Sequence, residues 1–445
     1  MRPPNPPTLT ALQPDWIIPI TPRDAVLRDH ILVIADDFIA EILPAADFTA
    51  RYPNLTPEPL PGCALMPGFV NLHSHAAMSL LRGYADDVPL KRWLEDHIWP
   101  AEARWVTPEF VEDGTALACA EFLLGGITTF NDMYFFPEAA ARATLSTGLR
   151  AVLGITVLEF PTPYASDAAD YLAKGLAARD ALRHEPRLSF ALAPHAPYTV
   201  SDASFTQILT LAEELDIPVH LHVHETEDEV RDSVSVYGVR PILRLAALDV
   251  LSARLIAVHS VHLNPMEIEL YARHGVSVAH CPHSNLKLAS GIAPIAAMRA
   301  AGVNVGIGTD GAASNNRLDL LGELRTAALL AKGASGRAEV LPAAEALELA
   351  TLGGARALGQ EAHIGSLAVG KQADLIAIQL DQTESLPVFD PIAQIVYSAG
   401  REQIRHVWVA GERLLRDRQP TRIDLDELRA RSRRWGQQIA NGKFR

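Results

Sequence analysis

The sequence predicts an α/β protein: a (β/α)8 TIM barrel with a small composite β-sandwich domain built from both termini. Three observations lead to this prediction. Eight short apolar runs alternate with longer amphipathic segments, polar side chains gather where these runs end, and β-like runs lie on either side of the repeat. A doubly wound open sheet is the alternative. The number eight and the position of the polar residues favour the barrel.

The eight runs have the continuous apolar character of strands that are covered on both faces. In chain order they are ALMPGFVNLHSH, GITTFNDMYF, LRAVLGITV, LSFALAPHAPY, IPVHLHVHE, LIAVHSVHL, VSVAHCP and VNVGIGTD. The segments between them predict helices. SDASFTQILTLAEELD begins at the cap residue Ser201, and NPMEIELYARHG extends from the cap residue Asn264 to Gly275.

The β-sandwich domain is predicted from residues 1–66 and 364–445, and the barrel from residues 67–363. The runs WIIPI, HILVIA and FIAEIL precede the barrel, and GSLAVGKQADLIAI, IVYSAG and IRHVWVAGERLL follow it as further strands. We expect the Pro-rich first ten residues to be disordered and the segment IDLDELRARSRRWGQQIANGKF to form a surface helix.

Composition excludes several classes of protein. The chain has 445 residues, a formal net charge of −14 and three cysteines. The acidic balance argues against a nucleic-acid-binding surface and a polybasic membrane patch. Three cysteines that lie far apart exclude a disulfide framework and a Cys-based zinc site. Neither a signal peptide nor a membrane-spanning run is apparent, so we expect a cytoplasmic protein with a small-molecule substrate.

Histidines gather at the ends of the predicted strands. Ten of the sixteen lie in or just after the eight runs, where barrel enzymes build their active sites. His73 and His75 alternate along the first strand, so both face the barrel mouth and can share one ion. His220, His222 and His224 share one face of the fifth strand, so spacing leaves the choice among them open. For His220 the preferred interpretation is a core histidine.

Carboxylates lie at two of the same strand ends. Glu225 directly follows the fifth run, and Asp310 ends the eighth in GIGTDGAASNN. Each has a simpler interpretation: Glu225 as a charge in the first turn of the next helix, and Asp310 as a turn residue. The GxGxxG match in GIGTDG ends a strand rather than opening a βαβ unit, so no dinucleotide site is predicted. His195 and His259 are expected to form hydrogen bonds around bound water and substrate.

Three imidazoles and one carboxylate suit a divalent ion that keeps one position for water. An ion in such a site activates water for attack on an electrophilic carbon, while Glu225 moves one proton and Asp310 accepts another. The residues therefore predict a metal-dependent hydrolase. They leave the electrophile open, and the donor set would also accept iron, manganese or nickel. The roles of four histidines stay open as well: His224, His262, His280 and His283.

Several motifs resemble those of the amidohydrolase superfamily. They are PGFVNLHSH, LHVHET, AVHSVHL, HCPHSNLKLASG, GTDGAASNN and IGSLAVGKQADLI. Within the superfamily, MSLLRGYADD, NDMYF, PHAPYT and SNLKLASG are similar to the 5-methylthioadenosine/S-adenosylhomocysteine deaminases and the related TRZ/ATZ-type triazine hydrolases. The resemblance covers nearly the whole chain. It implies one Zn2+ per subunit and a homo-oligomer, either a dimer or a tetramer.

The resemblance also implies the site residues and the reaction. The zinc ligands carry over to His73, His75, His222 and Asp310. The remaining roles carry over to Glu225 as proton shuttle, His259 as the residue that orients water, Glu102 as the carboxylate for ribose hydroxyls and His195 as the histidine of the nucleoside pocket. The implied activity is hydrolytic deamination of an adenine nucleoside, giving the inosine-type product and ammonia.

The third strand bears on the substrate. Relatives that accept S-adenosylhomocysteine carry arginines on and after this strand, and here Ile155 takes the first such position. A buried carboxylate needs a cationic partner, so an apolar wall is expected to hold a methylthio group instead; its members are Ile155, Val157, Leu158 and Phe160. We expect 5′-methylthioadenosine as the substrate, with adenosine and S-adenosylhomocysteine possible. Alternatives are a deaminase of the guanine or 8-oxoguanine type, a triazine chloro- or aminohydrolase, and a catalytically silent scaffold.

Overall fold

The computed structural model describes residues 7–443. Its strands are β1 (Leu9–Ile17), β2 (His30–Ala35), β3 (Phe38–Pro44), β4 (Glu58–Pro67), β5 (Phe69–Ser74), β6 (Ile127–Asp132), β7 (Arg150–Val157), β8 (Leu188–Pro194), β9 (Val219–Val223), β10 (Leu255–His259), β11 (Ser277–His280), β12 (Asn304–Ile307), β13 (Leu375–Gln379), β14 (Ile404–Val409), β15 (Glu412–Arg416) and β16 (Gln419–Pro420).

The helices lie between and after these strands. They are α1 (Ala45–Arg51), α2 (Leu90–Arg92), α3 (Trp99–Trp105), α4 (Pro108–Leu124), α5 (Pro137–Thr147), α6 (Ala168–Leu182), α7 (Asp202–Leu215), α8 (Glu227–Tyr237), α9 (Pro241–Ala247), α10 (Pro265–His274), α11 (Pro282–Lys287), α12 (Ile295–Ala300), α13 (Ala312–Asn315), α14 (Leu320–Ser335), α15 (Ala343–Glu348), α16 (Gly354–Ala357), α17 (Pro391–Tyr397) and α18 (Leu425–Lys443). Short 3-10 turns cover Ala76–Leu81 and Arg401–Gln403, and π-helical turns cover Trp93–Ile98 and Leu349–Gly353.

The predicted barrel is confirmed. Strands β5 to β12 form one parallel sheet in sequential order, and each strand coincides with one of the eight apolar runs. All residues of β5, β6 and β7 are buried, as expected for strands covered on both faces. At the seam between the first and last barrel strands, the N–H of Asp310 donates to the carbonyl of His73 at 3.0 Å. The seam therefore closes next to the predicted site.

Two predicted helices are confirmed together with their caps. The Ser201 hydroxyl accepts the N–H of Ser204 at 3.2 Å and begins α7. Asn264 and Glu267 form a capping box at the start of α10, and Gly275 ends that helix with a φ of 70°. A left-handed residue in this position favours glycine. The caps fix where both helices begin, and buried apolar side chains such as Phe205 and Ile268 pack them into the core.

The terminal segments form a separate eight-stranded sheet. Its order is β16-β15-β14-β13-β4-β1-β2-β3, and in its centre Pro67 of β4 pairs with Leu375 of β13. A buried ion pair joins this sheet to the barrel: the guanidinium of Arg150, the first residue of β7, donates to Asp374 at 3.1 Å. Arg150 also donates to Gln372 at 2.6 Å. These contacts lie at the opposite end of the barrel from the carboxyl ends of its strands.

The prediction of a strand at IVYSAG is wrong, because Ile395, Val396 and Tyr397 belong to α17. The side chain of Asp390 accepts the N–H of Ile392 at 2.9 Å and caps this helix. Pro391 occupies the first turn, where its missing N–H costs nothing. Cap and proline therefore outweigh the β-branched content of the run. The helix packs on α14 and α15 of the barrel rather than on the terminal sheet.

The two chain ends differ from expectation in one respect. Residues 1–6 lie outside the described part of the chain, but Leu9 and Thr10 pair with β2, so the expectation of disorder is wrong for them. The final segment forms the expected helix, α18, which docks on α4: the indole N–H of Trp435 donates to Asp113 at 2.9 Å. Over residues 7–443, none of the helices has the length and apolar character that crossing a membrane requires.

Candidate active site

The predicted site residues lie where the barrel strands end. Three of these ends carry a left-handed residue other than glycine: His224 has a φ of 55°, His259 of 68° and Asp310 of 59°. Histidine and aspartate adopt this conformation more readily than most side chains, although it remains unfavourable. Such strain gathers at functional sites, where it redirects the chain. Here the left-handed residues end the regular alternation of side chains as each strand reaches the barrel mouth.

His73, His75 and Asp310 converge on one point. The Nε2 atoms of His73 and His75 lie 3.2 Å and 3.4 Å from Oδ1 of Asp310. The Ser284 hydroxyl donates to Oδ2 of Asp310 at 2.5 Å, and the N–H of Gly311 donates to Oδ1 at 2.7 Å. Burial alone would raise the pKa of Asp310, but the His73 hydrogen bond and nearby imidazoles hold it well below its usual value. The aspartate is therefore a fixed, ionised ligand candidate.

The structure separates the three histidines of the fifth run. Nε2 of His222 lies 3.2 Å from Nε2 of His73, inside the cluster. Nε2 of His220 instead contacts Nδ1 of His73 at 2.9 Å, behind the cluster. Both nitrogens of His224 are engaged, since Nδ1 donates to a backbone carbonyl at 3.0 Å and Nε2 accepts a backbone N–H at 3.2 Å. Of the three, His222 is the one that joins the cluster.

The spacing of these atoms fits a tetrahedral ion. With Zn–N distances of about 2.0–2.1 Å, two tetrahedral ligand atoms lie about 3.4 Å apart. Three of the six separations among Nε2 of His73, Nε2 of His75, Nε2 of His222 and Oδ1 of Asp310 are 3.2, 3.2 and 3.4 Å, and they connect all four atoms. His73 is shared by two groups of candidate ligands: one with His75 and Asp310, the other with His222 and His259. Three nitrogens and one carboxylate oxygen form a donor set typical of zinc. The residues present therefore fit the metal.

Hydrogen bonds behind the imidazoles prepare them for an ion. Nδ1 of His75 donates to the carbonyl of Met133 at 2.6 Å, and Nδ1 of His222 donates to the carbonyl of His195 at 2.8 Å. A donor bond at Nδ1 leaves the lone pair on Nε2, the atom that faces the cluster. Burial lowers the pKa of His73 to about 4 and holds that of His222 well below its usual value. Neutral imidazoles are the form that binds metal.

Glu225 and His259 lie beside the cluster. Nδ1 of His259 is bonded to Oδ1 of Asn285 at 2.8 Å, which turns Nε2 toward Glu225, 3.6 Å from its Oε2. The ring nitrogens of His73, His222 and His259 all lie within 4.8 Å of one another. Burial raises the pKa of Glu225 to about 8, and a neighbouring carboxylate adds to the effect. A carboxyl group with such a pKa takes up and releases protons near neutral pH.

A cavity of about 300 Å³ opens beside these groups, with Glu102 and His195 in its wall. The Tyr134 hydroxyl donates to Oε1 of Glu102 at 2.8 Å, and burial raises the pKa of Glu102 to about 7. Nδ1 of His195 is bonded to the Thr199 hydroxyl at 3.0 Å, and burial lowers the pKa of His195 to about 3. Much of the remaining wall is apolar or aromatic; it includes Trp93, Leu94, Ile98, Trp99, Phe160 and Pro163.

The predicted apolar wall is only half right. Leu158 and Phe160 line the cavity, but Ile155 and Val157 do not. Ile155 points outward to the helices, since a Cβ added at Gly175 of α6 would lie 2.3 Å from its Cγ2. Strand alternation sends residue 157 the same way. The absence of an arginine at position 155 is therefore uninformative, although the described residues that line the cavity include no lysine or arginine.

The glycines of GIGTDG serve close packing. A Cβ at Gly308 would come within 2.9 Å of the Cβ of His73, and one at Gly306 within 2.6 Å of Leu72. The last barrel strand thus lies directly against the first. This close packing accounts for the glycines, so no phosphate-binding role is needed to explain them. It also brings Asp310 next to His73 and His75.

Two of the histidines whose roles the sequence leaves open, His262 and His283, form hydrogen bonds outside the site. His262 is bonded to the carbonyl of Ser290 at 2.7 Å, and His283 to the Thr326 hydroxyl at 2.7 Å. His280 is buried, and its Nδ1 has no partner among the described residues. Four supporting side chains are not predicted from the sequence: Ser284, Asn285, Tyr134 and Thr199. All four lie in motifs quoted for the resemblance, so a polar residue just after a strand end was the available signal.

Comparison with known proteins identifies the family. The sequence model of the Amidohydrolase family matches residues 64–414. The chain belongs to this family. A relative from Teredinibacter turnerae, named 5-methylthioadenosine/S-adenosylhomocysteine deaminase, is 45% identical over 429 residues, which cover 96% of this chain and 97% of the relative.

Solved structures agree with the amidohydrolase assignment. An adenosine deaminase from Xanthomonas campestris with bound zinc aligns with a TM-score of 0.95 and 48% identity, covering 99% of this chain and 100% of the other. An atrazine chlorohydrolase from Arthrobacter aurescens complexed with zinc aligns with a TM-score of 0.89 and 26% identity, covering 96% and 99%. The predicted resemblance, fold and enzyme class are confirmed: the chain is an amidohydrolase that acts on carbon–nitrogen bonds.

Proposed function

We propose that this amidohydrolase is a zinc-dependent deaminase of adenine nucleosides, with 5′-methylthioadenosine as the preferred substrate and adenosine as a further one. The observation that carries the proposal is the convergence of His73, His75 and Asp310, with His222 in contact with His73, beside a buried glutamate and a cavity. The names of the relatives at 45% and 48% identity support the substrate class.

The ion would be held by His73, His75, His222 and Asp310, one Zn2+ per subunit. When bound, a divalent ion in such a site makes water a nucleophile near neutral pH. The protein contributes the rigid geometry. Each of these four side chains forms a hydrogen bond with a neighbouring protein group, so little reorganisation is needed when the ion binds. Burial also excludes bulk water from the reacting groups.

Glu225 is the proposed proton shuttle. Deamination adds one water to the purine ring at C6 and breaks the bond from C6 to the exocyclic nitrogen, giving the inosine-type base and ammonia. Glu225 takes the proton from the attacking water and delivers it to ring nitrogen N1, acting first as base and then as acid. In the metal-free protein, burial raises the pKa of Glu225 to about 8.

His259 and Asp310 complete the proton transfers. His259 is held by Asn285 so that Nε2 faces the reaction centre, where it orients the attacking water. Asp310 accepts the second proton and passes it to the leaving nitrogen, which departs as ammonia. Both side chains are almost fully buried, and electrostatic effects on the developing charges are stronger in such surroundings.

Glu102 and His195 are proposed to position the nucleoside. Ribose hydroxyls can donate to the carboxylate of Glu102, which Tyr134 holds in place, and His195 offers a ring nitrogen to the purine. The apolar wall suits a methylthio group. The carboxylate of S-adenosylhomocysteine would find no lysine or arginine among the described residues of this wall, so we propose that it is a poor substrate. We also propose that the protein is cytoplasmic and forms a homo-oligomer.

The test is a parallel assay of the purified, zinc-loaded protein. 5′-Methylthioadenosine, S-adenosylhomocysteine, adenosine, guanine and a chlorotriazine are compared by release of ammonia or chloride. We expect the highest kcat/KM for 5′-methylthioadenosine and a low value for S-adenosylhomocysteine. Turnover only of guanine or of the triazine would refute the nucleoside assignment. Zinc-loaded Glu225→Gln serves as the control for ammonia from contaminating enzymes.

A further inference from the structure

His220 lies behind the proposed metal site. It is fully buried on β9, two residues before His222, and its side chain reaches across the barrel interior to β5. There its Nε2 lies 2.9 Å from Nδ1 of His73, with the two rings nearly perpendicular at 80°. This hydrogen bond joins the first and fifth strands of the barrel. His220 is therefore a buried core histidine, as expected, with one of its two ring nitrogens in a hydrogen bond.

The direction of this hydrogen bond follows from chemistry. If His73 binds an ion through Nε2, its proton must be on Nδ1, so Nδ1 donates and Nε2 of His220 accepts. His220 then carries its own proton on Nδ1. That atom is buried and has no hydrogen-bond partner among the described residues. An unpaired buried N–H is unfavourable for stability, so folding alone gives no reason for a histidine here.

The other two imidazoles of the site have a different kind of partner. His75 and His222 donate from Nδ1 to backbone carbonyls. Of the three imidazoles, His73 is the one whose Nδ1 meets a side chain. It is also the central one, because its Nε2 lies 3.2 Å from both His222 and Asp310. The orientation of this ring therefore decides whether the cluster keeps its spacing.

We propose that His220 is a positioning residue for the metal site: by accepting the Nδ1 proton of His73, it holds that ring with Nε2 free for the ion. His220 touches neither ion nor substrate in this arrangement, and it acts only through His73. The inference rests on the proposed function, because it requires that His73 bind a metal.

Three substitutions at one position test the proposal. In His220→Gln the amide oxygen reaches about the place of the imidazole Nε2, so the acceptor is kept. In His220→Asn the amide reaches only about the place of Nδ1, and His220→Leu removes the polar group. The matched control is His280→Leu, which replaces another buried barrel histidine with an unpaired Nδ1.

The first measurement is zinc affinity of the metal-free proteins, by competition with a chromophoric chelator. Loss of such an outer hydrogen bond weakens metal binding by about 10–100-fold, and we expect this range for His220→Leu and His220→Asn. His220→Gln should stay within about threefold of the parent, because its oxygen restores the acceptor. His280→Leu should bind zinc like the parent. The second measurement is the thermal midpoint of each metal-free protein, which should change little in His220→Leu.

Each contrary result is decisive. Parental zinc affinity in His220→Leu would overturn the inference and leave the proposed metal site intact. Equal losses in all three variants, together with a lowered thermal midpoint of the metal-free proteins, would assign His220 a packing role and likewise overturn it. A parent protein that binds no zinc would overturn both the metal site and this inference. Weak zinc binding by His220→Leu and His220→Asn, with zinc affinity close to that of the parent in His220→Gln, would support it.

Discussion

The buried carboxylate of Glu102 leads to a prediction about stability as well as binding. Burial raises its pKa from 4.5 to about 7. The folded protein thus holds this proton more tightly than the unfolded chain. The contribution of Glu102 to the free energy of unfolding is therefore fully present below pH 4.5 and is lost as the pH rises toward 7. At about 1.4 kcal/mol per pKa unit, the loss amounts to ~3 kcal/mol at pH 8 and less than ~1 kcal/mol at pH 5. Glu102→Gln keeps an acceptor for Tyr134 but cannot ionise.

We therefore expect Glu102→Gln to be more stable than the parent at pH 8 and to differ little from it at pH 5. For a chain of this length, ~3 kcal/mol corresponds to a rise of ~3 °C in Tm. The assay is thermal unfolding of both metal-free proteins at the two pH values, with Glu213→Gln, an exposed residue of α7, as control. Glu102→Gln should also have a lower kcat/KM for 5′-methylthioadenosine than the parent. Equal pH dependence of Tm in variant and parent would refute the reasoning.

Three further predictions concern the metal, the shuttle and the fold. His222→Ala should lose bound zinc by elemental analysis, whereas His224→Ala should keep zinc and lose ~1–3 kcal/mol of stability, since it leaves the N–H of Ile242 unpaired while the carbonyl of His262 keeps its bond from Arg240; the reverse pattern would contradict the ligand choice. Zinc-loaded Glu225→Gln should retain its metal and fold while kcat falls by about 10²–10⁴-fold, and a kcat near that of the parent would exclude it as the shuttle. Arg150→Met leaves Asp374 buried without its partner, so chemical denaturation should show a loss of ~3–5 kcal/mol; an unchanged midpoint would mean that the ion pair contributes no net stability.

Sequence reasoning succeeded where the signal was local. The apolar runs identified the barrel strands, and alternation placed His73 and His75 on one face because side chains repeat every two residues along a strand. Alternation could not choose among the histidines of the fifth run, since all share that face. The choice depends on partners from distant strands, which supply the hydrogen bonds to each ring. Such partners are invisible to spacing.

The failures have equally specific causes. Ile155 was assigned to the cavity by comparison with relatives, whereas alternation along β7 turns its side chain to α6. The run at residue 395 looks like a strand from its β-branched residues, but the cap at Asp390 and the proline after it begin a helix. In the first case strand alternation outweighs the comparison with relatives, and in the second the helix cap outweighs composition. The same rules were available from the sequence.

The pairing of β4 with β13 has a consequence for how the protein is made. These neighbours in the terminal sheet are separated along the chain by the whole barrel. On the ribosome, β1 to β4 therefore emerge long before the strand that completes their sheet, and one edge of β4 waits unpaired while the barrel is synthesised. Unpaired strand edges are prone to intermolecular pairing. We expect chains truncated before Leu375 to aggregate during expression, and the full chain to depend on rapid barrel closure or on a chaperone during this interval.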